Sequence, residues 1–151
     1  MVIVLMGNSC VGKSTIAELL RQQLSAELIS GKDYLRLAKN ESAAKALFQE
    51  KLRAAMTGEA ALIYVITEKE LLSLLPEGCL RVLVTAPLPQ IRERFAQRMH
   101  GQLPAPVSAM LERKYGEFDA EPHALHIDTA ATTPEQAVAA ITAALAAGGA
   151  Q

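Results

Sequence analysis

The chain has 151 residues, half of them hydrophobic, with 15 lysine and arginine residues against 16 aspartate and glutamate residues. This composition predicts one globular domain over residues 1–151 and excludes a disordered chain, and the near-neutral charge argues against a nucleic-acid polymer as partner. Cys10 and Cys79 are too few for a disulfide framework or a zinc site, and no apolar run approaches about 18 residues, so we expect a cytoplasmic protein without a membrane partner.

Five short apolar runs predict β-strands in chain order. They cover Val2–Met6, Glu27–Ser30, residues 61–67, Leu80–Thr85 and residues 124–127. Apolar residues spaced four apart lie between these runs, as in Ile16, Leu20 and Leu24, and predict helices. Strands that alternate with helices indicate an α/β fold with a parallel sheet covered on both faces.

Local signals predict where the helices begin and end. Residues 67–70 and 133–136 have the spacing of a capping box, in which a threonine and an acidic or amide side chain cap a helix start. Gly58, Gly101 and Gly116 follow helical patterns and are predicted as left-handed helix ends. Residues 100–106 contain one glycine and two prolines, which predict an irregular loop. That loop is either a lid or a plain surface connection.

Two histidines near the last predicted strand raise the question of a metal site. His123 and His126 are three residues apart. Because neighbouring side chains of a strand alternate between its faces, we expect the two rings to point to opposite sides. No metal site is predicted there.

The strongest motif lies directly after the first strand. Residues 7–14 read GNSCVGKS and match the phosphate-binding pattern G-x-x-x-x-G-K-[ST]. An apolar strand precedes the motif and a helix follows it, so backbone N–H groups and the helix dipole can both face a phosphate. We expect ATP to bind at Gly7, Asn8, Ser9, Cys10, Val11, Gly12, Lys13, Ser14 and Thr15.

Within this motif, two side chains carry the predicted chemistry. Lys13 is expected to reach the β- and γ-phosphates and is a candidate catalytic residue. Ser14 offers a hydroxyl oxygen to Mg²⁺, a cation that prefers oxygen ligands. ATP and Mg²⁺ are therefore the predicted cosubstrate and cofactor.

Two further segments resemble the nucleoside-monophosphate kinase family, which includes adenylate and cytidylate kinases. Residues 29–36 read ISGKDYLR, which looks like the family's Ser-x-x-Asp-x-Leu-Arg segment, and Arg94 and Arg98 form a pair four residues apart. The resemblance implies a three-layer P-loop NTPase fold with five parallel strands in the order 2-3-1-4-5. It also implies acceptor-binding helices near residues 32–58 and a short lid near residues 100–114.

The resemblance assigns roles to individual residues. Arg36 would grip the acceptor phosphate, for which a planar guanidinium is suited, and Asp33 would share the acceptor site. Arg94 and Arg98 would lie near the adenine base and the transferred phosphate. Arg113, with the adjacent Lys114, would close over the phosphates, which makes Arg94, Arg98 and Arg113 candidate catalytic residues beside Lys13.

One segment departs from the adenylate kinase pattern. Residues 64–70 read YVITEKE where those enzymes carry Asp-Gly-Phe-Pro-Arg, so a second acceptor-binding arginine is absent. Glu68 could hold Mg²⁺ through water or simply support a helix start. The predicted activity is ATP-dependent phosphotransfer to a small acceptor, first a nucleoside monophosphate.

Two alternatives remain at this point. One is a small-alcohol kinase resembling shikimate or gluconate kinases, in which Asp33 is the general base. The other is a nucleotide-binding regulatory module with little transfer activity. Oligomeric state does not follow from these patterns.

Overall fold

A computed structural model describes residues 1–149 of the chain. Five parallel strands form one sheet in the order β2-β3-β1-β4-β5, as predicted. The strands are β1 (Val2–Met6), β2 (Glu27–Ser30), β3 (Leu62–Ile66), β4 (Leu80–Thr85) and β5 (Leu125–Asp128). The predicted bounds are correct for three strands, whereas β3 is shorter by one residue at each end and β5 begins and ends one residue later.

Strand β1 lies at the centre of the sheet. Val2 pairs with Leu62 of β3 on one side, and Ile3 pairs with Leu80 of β4 on the other. All residues of β1 and β3 are buried, which explains why both read as unbroken apolar runs rather than as alternating patterns. The carboxyl end of β1 therefore opens in the middle of the sheet edge.

The helices cover both faces of the sheet. They are α1 (Lys13–Leu24), α2 (Glu41–Thr57), α3 (Leu88–Arg98), α4 (Ala105–Lys114) and α5 (Pro134–Gly149), with 3₁₀ helices over Asp33–Leu37 and Lys69–Leu74. Alternate residues of β1 face opposite layers. Ile3 packs in the core formed with α1 and α5, and Val4 packs in the core formed with α2 and the 3₁₀ helices.

An aromatic cluster fills the core under α2. The ring of Phe48 stacks on Tyr34 with centroids 5.0 Å apart and meets Tyr64 edge-on at 4.9 Å. The Tyr64 hydroxyl donates to the Gly31 carbonyl at 2.7 Å, and burial raises the pKa of this hydroxyl. The cluster ties the end of β2 to α2 and β3.

Two helix starts have side-chain caps, and one of them is a predicted capping box. The Asn40 side chain accepts from the Ala43 N–H at 2.7 Å at the start of α2. At the start of α5, the Gln136 N–H donates to Thr133 at 3.1 Å and the Thr133 N–H donates to Gln136 at 2.9 Å. The capping box at residues 133–136 is confirmed.

The capping box predicted at residues 67–70 is wrong. Glu68 precedes a 3₁₀ helix without a side-chain cap, because the segment tightens at once and ends after six residues. Gly58 is also not left-handed: its φ is −89° and its N–H donates to the Ala54 carbonyl. Gly101 and Gly116 do adopt positive φ angles of 88° and 80°, as predicted.

The irregular segment is shorter than predicted. Ala105 and Pro106 belong to α4, whose N-cap is Pro104. Proline is accepted in the first turn of a helix, where its missing N–H would have no partner.

Within the described residues, no helix is long and apolar enough to span a membrane.

The prediction that the rings of His123 and His126 point to opposite sides is also wrong. The rings of His123 and His126 lie edge-to-face with centroids 6.2 Å apart. His123 comes before β5, so strand alternation does not govern its direction, and its Nδ1 lies 2.8 Å from the Glu121 carbonyl oxygen. No group of three metal-ligating side chains occurs in residues 1–149.

Candidate nucleotide and acceptor site

The phosphate-binding loop leaves the carboxyl end of β1 and enters α1. A Cβ atom on Gly7 would collide with the Val84 carbonyl oxygen, and Gly12 adopts a φ of 104°. Both glycines are thus required by the backbone, the first by close approach and the second by conformation. The loop joins the central strand to a helix N-terminus, as predicted.

The loop presents unpaired backbone donors. Among the described residues, the N–H groups of residues 8–15 donate to no backbone carbonyl. The first N–H groups of a helix have no intrahelical acceptor and carry the positive end of its dipole. These donors fit the phosphate groups of a nucleotide, which supply acceptor oxygens and negative charge.

Lys13 is buried within the loop and is 5% exposed. Its Nζ donates to the Gly7 carbonyl at 2.5 Å and to the Asn8 carbonyl at 2.6 Å. The pKa of Lys13 is lowered to about 7, mainly by burial; Cys10 opposes this shift and the nearby Arg98 adds to it. Within residues 1–149, the ammonium group therefore has two carbonyl partners but no carboxylate to balance its charge.

A cavity of about 560 Å³ lies beside the loop and is the candidate nucleotide site. Arg94 and Arg98 of α3 both line it with the loop, so the structure brings this predicted pair to the predicted nucleotide site. Arg94 donates to the Cys10 carbonyl at 3.0 Å, so part of its guanidinium contacts the loop itself. The other lining residues are Ser9, Cys10, Gly12, Lys13, Ser14, Thr15, Ile16, Val65, Thr67, Gln97, Thr129, Thr132 and Pro134.

The residues available to Mg²⁺ are few. Ser14 is exposed in the first turn of α1 and lines the nucleotide cavity. Because no cluster of three ligating side chains exists in the described residues, Mg²⁺ would take its remaining ligands from phosphate and water, which is its usual behaviour. The Ser14 hydroxyl fits such a site.

A second cavity of about 270 Å³ lies between the loop and α4, and we name it the acceptor cavity. Its lining consists of Asn8, Ser9, Thr67, Glu68, Ile91, Met110, Leu111 and Lys114. Ser9 and Thr67 also line the nucleotide cavity, so the two cavities adjoin at these residues. A group bound in one can therefore meet a group bound in the other.

Helix α4 is fastened to the loop at its carboxyl end. The Asn8 side-chain amide donates to the Lys114 carbonyl at 3.0 Å, and Arg92 of α3 pairs with Glu112 at 3.3 Å. Lys114 lines the acceptor cavity, whereas Arg113 is exposed and lines neither cavity. Of the two basic residues of the predicted lid, Lys114 is thus the nearer to the loop.

The predicted acceptor residues follow β2. Asp33 and Arg36 lie in the 3₁₀ helix Asp33–Leu37, and both are exposed outside the two cavities. Glu68 lines the acceptor cavity and pairs with Lys32 at 3.4 Å, and this pairing raises the pKa of Lys32. The ion pair links the segments that follow β2 and β3 at the edge of the acceptor cavity.

Thr129 is a site residue that the sequence analysis missed. It follows β5, and its hydroxyl donates to the Val11 carbonyl at 2.7 Å. A lone threonine after a strand carries no motif of its own. The only available signal was its position, because the carboxyl ends of parallel strands share one edge of the sheet.

The sheet order and the loop after its central strand define a P-loop α/β fold. No protein-family model and no curated protein matches the chain. The shikimate kinase of Acinetobacter baumannii, solved with shikimate, matches with a TM-score of 0.65 and 16% identity, over 97% of this chain and 93% of that one.

Two other solved structures match over nearly the whole chain. YorR of Bacillus subtilis, solved with phosphorylated GDP, gives a TM-score of 0.67 at 16% identity, over 96% of this chain and 95% of that one. A gluconokinase of Sinorhizobium meliloti gives a TM-score of 0.59 at 17% identity, over 95% of this chain and 94% of that one. The chain thus has the fold of P-loop kinases with small acceptors as well as of a nucleotide-binding relative.

Proposed function

We propose that this chain is an ATP-dependent kinase that transfers the γ-phosphoryl group to a small acceptor. The observation that carries the proposal is the meeting of two cavities at Ser9 and Thr67 beside the phosphate-binding loop. A regulatory nucleotide-binding module needs only the first cavity. The kinase folds matched by the chain support the same conclusion.

The chain's own residues would act mainly by positioning and charge. The unpaired N–H groups of the loop would hold the phosphates, and Lys13 and Arg98 would offset the charge that spreads over the transferred group. The Ser14 hydroxyl would help to hold Mg²⁺, which when bound would supply positive charge that offsets the charge of the phosphates. Helix α4 would cover the acceptor cavity and exclude water, which competes for the phosphoryl group.

The size of the acceptor cavity favours a small hydroxylated acceptor. Its volume of about 270 Å³ is about half that of the nucleotide cavity, about 560 Å³, so a small acceptor fits it more readily than a second nucleotide does. A hydroxyl nucleophile also needs a proton acceptor, and Glu68 offers a carboxylate in the lining.

A nucleoside monophosphate remains the second candidate acceptor. The Asp33–Arg36 segment resembles the one that grips the acceptor phosphate in monophosphate kinases, and a matching structure was solved with a phosphorylated guanine nucleotide. In that case Arg36, now exposed, would turn toward the acceptor when it binds.

The first test is ADP release from ATP and Mg²⁺ with a panel of acceptors. The panel contains nucleoside monophosphates, sugar acids, polyols and shikimate, with water alone as the blank. We expect turnover with a hydroxylated compound. If no member raises ADP release above the blank while ATP still binds, the kinase proposal is wrong and the module reading replaces it.

Three variants then distinguish the acceptor classes. For a hydroxylated acceptor, Glu68→Gln should lower kcat by about 10²–10⁴ at saturating Mg²⁺, because the general base is lost, and Asp33→Asn is the matched carboxylate control. An effect confined to Asp33→Asn would assign the base to Asp33. If Glu68 instead holds Mg²⁺ through water, Glu68→Gln should raise the Mg²⁺ concentration for half-maximal rate and keep the saturating rate.

For a monophosphate acceptor the pattern differs. Arg36→Ala should raise the acceptor KM roughly ten- to a hundredfold and leave the KM for ATP unchanged, since a charge-assisted bidentate contact is lost. A normal acceptor KM in Arg36→Ala would remove the monophosphate candidate.

A further inference from the structure

Thr129 lies within hydrogen-bonding distance of two backbone carbonyls beside the phosphate-binding loop. Its hydroxyl lies 2.7 Å from the Val11 carbonyl oxygen and 3.2 Å from the Thr85 carbonyl oxygen. The Thr85 oxygen already accepts from the Thr129 N–H at 2.9 Å. The single hydroxyl proton is therefore assigned to the shorter contact, with Val11.

Arg94 completes this arrangement. Its Nη1 donates to the Thr129 hydroxyl oxygen at 3.3 Å and to the Cys10 carbonyl at 3.0 Å. The Thr129 hydroxyl thus accepts from Arg94 while it donates to Val11, which a hydroxyl can do simultaneously. We call Thr129 and Arg94 together the loop clamp.

The clamp fixes the orientation of two consecutive peptide groups. In a trans peptide the C=O and the N–H point in opposite directions, and no peptide bond in the described chain is cis. Because the Cys10 and Val11 carbonyls point at the clamp, the N–H groups of Val11 and Gly12 point away from it. Neither N–H has a backbone acceptor in residues 1–149, so both are free for a phosphate oxygen.

Packing supports the same role. A Cβ atom on Gly12 would lie 3.0 Å from the Thr129 methyl carbon. The loop and Thr129 therefore approach as closely as a glycine allows, and the hydroxyl is held at a fixed distance from the Val11 carbonyl.

We propose that Thr129 is a positioning residue, whose hydroxyl orients the N–H groups of Val11 and Gly12 toward the phosphates of the nucleotide. It acts through the loop backbone and Arg94. The inference rests on the proposed function only in taking those phosphates to be those of ATP, the phosphoryl donor. The same orientation would serve any polyphosphate that enters the loop.

The test compares Thr129→Val, which keeps the shape and loses the hydroxyl, with Thr129→Ser, which keeps the hydroxyl. Thr129→Ala is measured beside them as a smaller hydroxyl-free variant, in case valine prevents folding. Calorimetry gives the Kd for the unreactive ATP analogue AMP-PNP with Mg²⁺ and for tripolyphosphate, which has no base or ribose. Thr142→Val is the control; it removes a hydroxyl that donates to the Val138 carbonyl and accepts from Gln23 of α1.

We expect the hydroxyl-free variants to bind both ligands roughly ten- to a hundredfold more weakly, because a carbonyl loses its donor and the loop loses its orientation. Thr129→Ser should bind within about threefold of the parent. Unchanged tripolyphosphate binding in Thr129→Val or Thr129→Ala, or a serine variant as weak as valine, would overturn the proposal. Absent turnover with every acceptor would defeat the kinase proposal alone, because these binding measurements need no acceptor.

Discussion

The charge state of Lys13 is set by its burial in the loop. Its pKa of about 7 leaves the side chain only partly protonated at neutral pH. A nucleotide phosphate beside the ammonium group favours the charged form and raises this pKa. Binding and protonation of Lys13 are therefore linked.

We expect triphosphate binding to take up protons above neutral pH. Above about pH 7 the free protein has lost the Lys13 proton and the complex regains it, so affinity falls with rising pH, by up to about tenfold per unit. Calorimetry of AMP-PNP binding at about pH 8.5, in two buffers of different ionisation enthalpy, measures the protons taken up. No uptake at this pH would contradict the assignment.

The matched variant for this prediction is Lys13→Met, which should bind AMP-PNP without proton uptake. Both Lys13→Met and Lys13→Ala should lose transfer activity. The folded pKa of Lys13 lies below its ordinary value of 10.5, so its contribution to the free energy of unfolding rises with pH between about 7 and 10.5. Lys13→Met should therefore gain stability relative to the parent mainly below pH 7.

At the scale of elements, α4 is held over the acceptor cavity by few contacts. Its carboxyl end is joined to Asn8 and its side to Arg92, both through exposed hydrogen bonds. Leu111 is buried, and Val107 and Met110 are partly buried against the same core. An element with only one fully buried side chain opens at a lower free-energy cost than the central strands do.

We expect the segment from residue 99 to α4 to gain hydrogen-exchange protection when a bisubstrate analogue binds. Closure on the ligand would add contacts that the free protein lacks. Exchange mass spectrometry with and without the analogue measures this, and the second half of α5, whose residues line neither cavity, is the internal control. Equal protection of α4 in both states would remove the lid assignment.

Elements with regular patterns were predictable from the sequence. The central strands β1 and β3 are buried on both faces and read as apolar runs, and the cap at Asn40 follows from local chemistry. Short elements were not predictable in the same way. Thr67 and Glu70 have the spacing of a capping box, yet the segment forms a 3₁₀ helix, because the packing of Leu71 and Leu74 in the core outweighs a cap.

The site was predictable where it is local in the chain. Residues 7–14 form a continuous motif that predicts phosphate binding. The loop clamp instead joins Arg94 of α3 to Thr129 after β5, and these residues are 35 positions apart. Neither segment alone shows whether Arg94 holds the loop or contacts ATP. Contacts between distant segments require the fold before they can be named.

At the scale of the whole molecule, the core under α2 depends on one large side chain. Phe48 is fully buried between Tyr34 and Tyr64. We expect Phe48→Ala to lower the free energy of unfolding by about 3–5 kcal/mol, through lost burial and the cavity left behind. Denaturation in urea measures this change.

Leu47 is the matched control for that substitution. It adjoins Phe48 in α2 but is 45% exposed, so Leu47→Ala should change the free energy of unfolding by no more than about 0.5 kcal/mol. Similar losses in the two variants would mean that α2 does not pack on the sheet through Phe48.

The central place of β1 has a consequence for synthesis on the ribosome. Its hydrogen-bonding partners begin only at Leu62 and Leu80, so this wholly apolar strand leaves the exit tunnel long before either flank exists. Until β4 has emerged, the nascent chain carries an unpaired strand that can join strands of other chains. The order of the strands thus leaves β1 open to chaperones and to other chains until β4 has left the exit tunnel, and the emergence of β4 is the step that ends this exposure.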